Sequence, residues 1–262
     1  MEYQITKEQR EEFETNGFFI IKNALSEEEV NQYSSIVEKI HLDNAKTKDH
    51  RLLVRDIFGY SPSFLKLINH PKVFPKIWGI LGSNISLYHT HLIVTPPGKR
   101  PEPYVFNPKH TSGWHQDGQY MNIDIQFPNR PRLSMKSAFY FTDCDKAGMG
   151  NMIVIPGDFS DEYPTEERIQ KAIPVLINKG DSIVFDRRLW HTAGMNFSKT
   201  TRKVAFFGYA YRWITPADDS NYEKFYDGSD PIVKQLLRYK NRPQGFHNPY
   251  LPEDCPLRQS IL

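Results

Sequence analysis

The hydrophobic positions of this chain change period partway along it. Thr6 to Asn16 is mostly charged around an apolar Phe13, and Gly17 is a stop signal, which predicts a first helix. Phe18-Phe19-Ile20-Ile21 is a short apolar run and reads as a buried strand. Ser26-Glu27-Glu28-Glu29 is a capping box, followed by Val30, Tyr33, Ile36 or Val37, and Ile40 at helical spacing. Ser61 to Leu81 predicts two further short helices, broken by Pro71 and Pro75.

Near Ile85 the pattern turns to short strands. Ile85 to Thr95 is a strand ended by Pro96-Pro97-Gly98, and the Pro-, Asn- and Lys-rich stretch 99–113 is a long loop. Ser134 to Thr142 alternates, and Met152 to Ile155 stops at Pro156-Gly157. Ile173 to Ile177 and Asp181 to Phe185 flank Asn178-Lys179-Gly180, a hairpin signal. Lys203 to Trp213 is another strand, with Tyr209, Tyr211 and Trp213 expected on one core face. A last helix is expected over Pro231 to Lys240, and the tail after Arg242 should drape over the surface. The predicted class is mainly β with flanking helices, a sandwich or barrel with the N-terminal helices packed on one sheet. The expected organisation is one domain over 1–262, with a helical part at about 1–84, a β core at about 85–215 and an extension at 216–262.

Composition narrows the function. The 262 residues are 39% hydrophobic and 13% aromatic, enough for a sizeable core. No apolar run approaches the ~20 residues of a membrane span, and the N-terminus has no signal-peptide core. Lysine and arginine number 33 against 31 acidic residues, so charge gives no argument for nucleic acid or anionic membranes. Two distant cysteines, Cys144 and Cys255, exclude a disulfide framework and fit a cytoplasmic protein. The terminal Gln-Ser-Ile-Leu lacks the lysine of a peroxisomal signal. The expectation is a soluble protein, monomer or homodimer, acting on a small molecule.

Nine histidines offer ligands, and two begin a His-x-Asp triplet: His41-Leu42-Asp43 and His115-Gln116-Asp117. Geometry separates them. Residues i and i+2 diverge on a helix, so His41 and Asp43, at the end of a helical pattern, read as solvated surface. On a strand the same spacing shares a face, so His115 and Asp117 can chelate one ion. The triplet alone is equally compatible with a loop hydrogen bond between the two.

His191 supplies a third ligand at the end of the Asp181–Phe185 strand region, where a barrel can bring it opposite His115. Two histidines and a carboxylate with open positions form the facial triad of non-haem iron(II) oxygenases. Zinc is the chemical competitor, since hydrolases use the same set. Arg202 starts the next strand, and its guanidinium can grip a carboxylate bidentately.

In this order the motifs resemble the phytanoyl-CoA dioxygenase family of Fe(II)/2-oxoglutarate oxygenases. The stretches are Asn16-Gly17-Phe18-Phe19-Ile20, Leu92 to Gly98, Trp114-His115-Gln116-Asp117-Gly118, Gly150 to Gly157, Trp190-His191, Arg202 and Tyr209 to Trp213. The resemblance covers about residues 5–215. It implies a double-stranded β-helix (jelly-roll, cupin-like) core. It also implies Fe(II) on His115, Asp117 and His191, and 2-oxoglutarate with its distal carboxylate on Arg202. A serine that often helps that carboxylate is Ala193 here, so Thr192 or Thr201 is the expected substitute. An asparagine of some relatives is Val94, with His89, Thr90 and His91 as substitutes. Halogenating relatives lack the carboxylate ligand that Asp117 provides, so hydroxylation by O₂ is favoured. Trp114, Tyr120, Arg187, Arg188 and Arg212 are the candidate substrate residues, and 99–113 with 118–132 the expected lid. An inactive jelly-roll binding protein and a His₂-carboxylate zinc hydrolase stay as alternatives.

Overall fold

The computed structural model describes residues 5–99, 105–125, 130–218, 224, 226–238 and 255–259. In chain order its elements are α1 (Lys7–Asn16), β1 (Phe18–Ile21), α2 (Glu27–Asn44), β2 (Leu52–Arg55), α3 (Phe74–Leu81) and β3 (Ile85–Thr95). Then come α4 (Gln119–Asp124), β4 (Ser134–Tyr140), β5 (Met152–Val154), α5 (Glu166–Ile169), β6 (Ile173–Pro174) and β7 (Ser182–Asp186). The chain continues with β8 (His191–Ala193), β9 (Arg202–Tyr211), α6 (Pro231–Leu237) and α7 (Pro256–Gln259).

Local signals set the first elements. Thr6 and Gln9 form a capping box on α1, which ends at Gly17 in the left-handed conformation. Ser26 and Glu29 do the same for α2, whose core face carries Val30, Tyr33, Val37 and Ile40. A 3₁₀ helix over Pro62–Leu67 precedes α3, and Pro75 lies in the first turn of α3 instead of breaking it.

The strands form a six-stranded sheet in the order β1-β7-β4-β9-β3-β2 and a three-stranded sheet in the order β6-β5-β8, with antiparallel pairing throughout. This is the two-sheet jelly-roll arrangement, mainly β with helices on one side. Alternation divides the large sheet between two cores. Leu52, Val54, Leu92, Val94, Ala205, Phe207, Met135 and Phe139 pack outward with Phe13, Val37, Phe58 and Ile77 of the helical layer. Ile93, Val204, Phe206, Ala138, Tyr140, Ile183 and Phe185 face inward, against Met152 and Val154 of the small sheet. Each such side chain fully buried contributes about 1.5–3 kcal/mol before entropy is counted.

A bulge in β3 places the site. Leu87 pairs with Tyr209 and His89 with Gly208, so Tyr88 is an extra residue. Ile85 and Leu87 therefore belong to the outer core, whereas His89, His91 and Ile93, which strict alternation would put on the same face, line the inner cavity.

Four expectations are corrected. The Asn178-Lys179-Gly180 turn does not close a hairpin. The segment before it pairs with β5 and the segment after it with β1 and β4, so the turn passes the chain between sheets. Asp181 holds that corner by accepting from the backbone N–H groups of Asn23 and Asn178 and from Lys22. Trp213 lies beyond β9 and is 66% exposed, stacked on Tyr211, so only Tyr209 of the three aromatics is fully in the core. His41 is buried, with Nε2 2.8 Å from the His50 carbonyl, while Asp43 is exposed. The helix begun at Pro231 ends at Leu237 because Arg238 takes a left-handed conformation. The proline-rich tail falls largely outside the described residues.

Candidate metal centre and co-substrate cavity

The segment 113–117 runs alongside 187–191. The backbones of His115 and His191 exchange two N–H···O bonds of 3.0 Å, and the Asp117 N–H donates to the Arg187 carbonyl at 2.8 Å. Extended backbone then turns His115 and Asp117 to one side and Gln116 to the other. Gln116 Nε2 donates to the carbonyls of Ser160 and Arg188, which ties the two loops together from behind. Gly118, at φ 105°, turns the chain sharply into α4; a Cβ there would lie 2.7 Å from Arg187 Nη1.

Ligand atoms of His115, Asp117 and His191 all lie within 4.8 Å of one another. His115 Nδ1 is 2.9 Å from the Gly113 carbonyl, and His191 Nδ1 is 2.8 Å from the Leu189 carbonyl. A carbonyl only accepts, so each Nδ1 carries the proton and each Nε2 presents a lone pair. Burial pushes the His191 pKa down to about 4, against the pull of Asp117, so this ring is neutral near pH 7. Burial alone would raise the Asp117 pKa, but Lys136 and then His191 outweigh it and hold it well below the ordinary carboxylate range. Asp117 Oδ1 pairs with Lys136 Nζ at 2.7 Å; Oδ2 is buried, has no hydrogen-bond partner and lies 3.8 Å from His191 Nε2. Two imidazole lone pairs and one unpartnered carboxylate oxygen on one spot fit a divalent metal such as iron(II).

These groups open on a cavity of about 570 Å³ between the two sheets. Strand register orders its floor in rows. Arg55, His91, Phe206 and Ala138 form one row, and His89, Gly208, Lys136 and Phe185 the next, toward the metal end. His91 stacks on Phe206 with centroids 4.4 Å apart, and His89 stacks on His91 at 5.3 Å. A Cβ on Gly208 would come within 2.9 Å of the His89 ring, so the missing side chain makes room for it. Arg202 stands at the other end, at the start of β9. It is 3% exposed, Nη2 donates to the Tyr140 hydroxyl at 3.4 Å, and Nε is buried without a partner. A buried guanidinium with an unsatisfied N–H facing a cavity fits a carboxylate ligand.

The remaining candidate residues separate. Thr192 lines the cavity, although its hydroxyl donates to the Ser112 carbonyl at 2.6 Å; Thr201 does not line it. Thr90 lies on the outer face of β3, where its hydroxyl donates to Asp218 and accepts from the Ile57 N–H. Trp114 packs with Ile153, Ile155, Ala172 and Trp190, away from the cavity. Arg187 is fully buried and binds the Asn122 side chain and the Asp117 and Pro131 carbonyls, so it braces the loop behind Asp117. Arg188 is turned onto Asp186 and the Arg130 carbonyl. Arg212 lies past the far end of β9 with Nε on Asn84. None of these five lines the cavity. The Tyr120 side chain and residues 100–104 and 126–129 of the expected lid lie outside the described residues.

Sequence reasoning missed Lys136, Arg51, Arg55, Tyr88 and Asp218 as cavity residues. Lys136 had a signal: it is the one charged residue of β4, and all seven residues of that strand are buried. Asp218 is also marked, since burial raises its pKa to about 6 despite the Thr90 hydrogen bonds that lower it.

A family model described as phytanoyl-CoA dioxygenase matches residues 13–204. The chain is 26% identical over 249 residues to a probable phytanoyl-CoA dioxygenase of Caenorhabditis elegans, covering 79% of this chain and 75% of that one. It is 23% identical over 241 residues to an ectoine dioxygenase of Nocardia farcinica, covering 78% and 77%. Among solved structures, EctD from S. alaskensis with bound Fe superposes with a TM-score of 0.63 at 18% identity, covering 82% of each chain. HygX from Streptomyces hygroscopicus with nickel and 2-oxoglutarate bound gives 0.62 at 16% identity, covering 81% of this chain and 89% of that one.

Proposed function

The chain belongs to the phytanoyl-CoA dioxygenase family, and we propose on that premise that it hydroxylates an unactivated C–H bond of a small molecule. Its class is the iron- and 2-oxoglutarate-dependent dioxygenases, which favours this reading over the zinc hydrolase and the inactive binding protein. We assign His115, Asp117 and His191 as the iron ligands and Arg202 as the anchor of the distal carboxylate of 2-oxoglutarate. One observation carries the assignment. Two imidazole lone pairs and an unpartnered carboxylate oxygen converge at one end of a cavity whose other end holds a buried arginine.

Held by His115, Asp117 and His191, iron(II) would supply with 2-oxoglutarate and O₂ the oxidising chemistry, one oxygen atom going to the substrate and the other to succinate as CO₂ leaves. The chain provides the rest. The Gly113 and Leu189 carbonyls fix both rings by their Nδ1–H groups. Arg202, with the Tyr140 hydroxyl beside it, selects a dicarboxylic 2-oxo acid by length and charge. Met152, Ile93 and Phe206 give the cavity apolar walls that keep water from the reacting atoms. Tyr88, His89, Arg55 and Asp218 remain to receive the substrate.

The test is to add iron(II) and 2-oxoglutarate without oxygen and record the visible spectrum. A weak metal-to-ligand charge-transfer band is expected, and its absence from folded, iron-loaded protein would refute the assignment. The same reading takes residues 1–262 as one catalytic unit. It is a monomer or homodimer in the cytoplasm, without nucleic-acid or membrane partners, and gel filtration and imaging of a tagged chain check this. Among the described residues no helix is long and apolar enough to cross a membrane.

A further inference from the structure

Lys136 is a cation at the metal end of the cavity that oxygen transfer does not in itself require. It sits in the middle of β4 among neighbours that are all buried and uncharged. An ammonium there carries a desolvation cost that only a close partner offsets. Its partner is Asp117 Oδ1, at 2.7 Å. The two oxygens of this carboxylate are thus unlike each other. Oδ1 is taken by Lys136, whereas Oδ2 is buried, unpartnered and 3.8 Å from His191 Nε2.

A carboxylate can bind a metal through one oxygen or through both. The choice matters in a facial triad. Three protein ligands leave three positions, of which 2-oxoglutarate fills two and O₂ needs the last. A second oxygen from Asp117 would occupy that last position. We propose that Lys136 is a positioning residue that holds Asp117 to one-oxygen ligation, by keeping Oδ1 in a charge-assisted hydrogen bond and presenting Oδ2 alone. The register supports a fixed role: Lys136 lies opposite Gly208 and Phe185, which pin β4 at this row from both sides. The inference rests on the assignment of His115, Asp117 and His191 as iron ligands.

The test uses nitric oxide as a probe of the O₂ position. Anaerobic iron(II)·2-oxoglutarate protein is titrated with nitric oxide and followed by electron paramagnetic resonance, for wild type, Lys136→Met and Lys136→Arg. The Met variant keeps the length of the side chain without the charge; Lys136→Gln serves if it fails to fold. Expected is a fall in nitric oxide affinity of about tenfold or more in Lys136→Met, with the 2-oxoglutarate absorption band retained, and recovery in Lys136→Arg. A lysine that serves only stability would lower the melting temperature and leave the affinity unchanged, and that result overturns the proposal. Loss of the absorption band in the wild-type protein would instead refute the ligand assignment, so the two failures are distinguishable.

Discussion

The backbones of His115 and His191 hydrogen-bond to each other in both directions at 3.0 Å. This one bridge joins the loop after β3 to the start of β8 and brings two imidazoles to within 4.3 Å between centroids. The candidate metal centre is therefore built on a backbone ladder, with ring orientation fixed from behind by the Gly113 and Leu189 carbonyls. Rigid support of this kind is what a ligand set needs in order to be formed before the metal arrives.

Removing a ligand tests the centre directly. Asp117→Ala leaves two imidazoles and an unpaired Lys136 ammonium. Iron(II) retained after gel filtration should drop by about 100-fold in affinity, and 2-oxoglutarate consumption should vanish. A variant that kept the metal and its turnover would show that the ligands lie elsewhere.

Arg202→Ala addresses the other end of the cavity. One or two charge-assisted bonds at ~1.5–3 kcal/mol each are lost, so 2-oxoglutarate should bind about 10–100-fold more weakly. Iron stoichiometry should not change. An unaltered Michaelis constant for 2-oxoglutarate would mean that another group holds the distal carboxylate.

Asp186 supports the strand-to-strand turn that leads to His191. It is fully buried and paired with Arg132 at 2.6 Å and Arg188 at 2.7 Å. Asp186→Ala removes the carboxylate that pairs with Arg188 and one of the two that hold Arg132, which keeps its two bonds to Glu14. Chemical denaturation should show a loss of about 3 kcal/mol, the low end for a broken buried pair. A change within error would place the stability of this turn in the backbone alone.

The metal-free protein should lose stability on mild acidification. Burial lowers the His191 pKa to about 4 and the His89 pKa to about 3, both from 6.5. The unfolded chain then binds protons below pH 6.5 that the folded chain refuses, so stability is full above that pH and falls as the pH drops toward 4. A tenfold difference in proton affinity between the folded and unfolded chain is worth about 1.4 kcal/mol. Urea titrations at pH 7.5 and 5 should differ by about 2 kcal/mol for each of the two rings, on the order of 4 kcal/mol together, and His89→Asn should reduce the difference. A flat profile would show that these rings are protonated in the fold.

Local patterns in the sequence were sufficient for the elements whose causes are local. The capping boxes at Thr6 and Ser26, the strand from Ile85 to Thr95 and the shared side of His115 and Asp117 all follow from rules acting over a few residues. The order of the motifs around His115, Asp117, His191 and Arg202 carried the family for the same reason, since residue types and their spacing are written in the chain. Tertiary structure alone decided which residues meet. Whether the Asn178-Lys179-Gly180 turn closes a hairpin depends on which sheet offers each flank unpaired N–H and C=O groups. The bulge at Tyr88 brings His89 and His91 into the cavity, because one extra residue reverses a period of two. Lys136 becomes the partner of Asp117 only because β4 passes beneath the bridge between His115 and His191, and a buried ammonium must have an anion within reach.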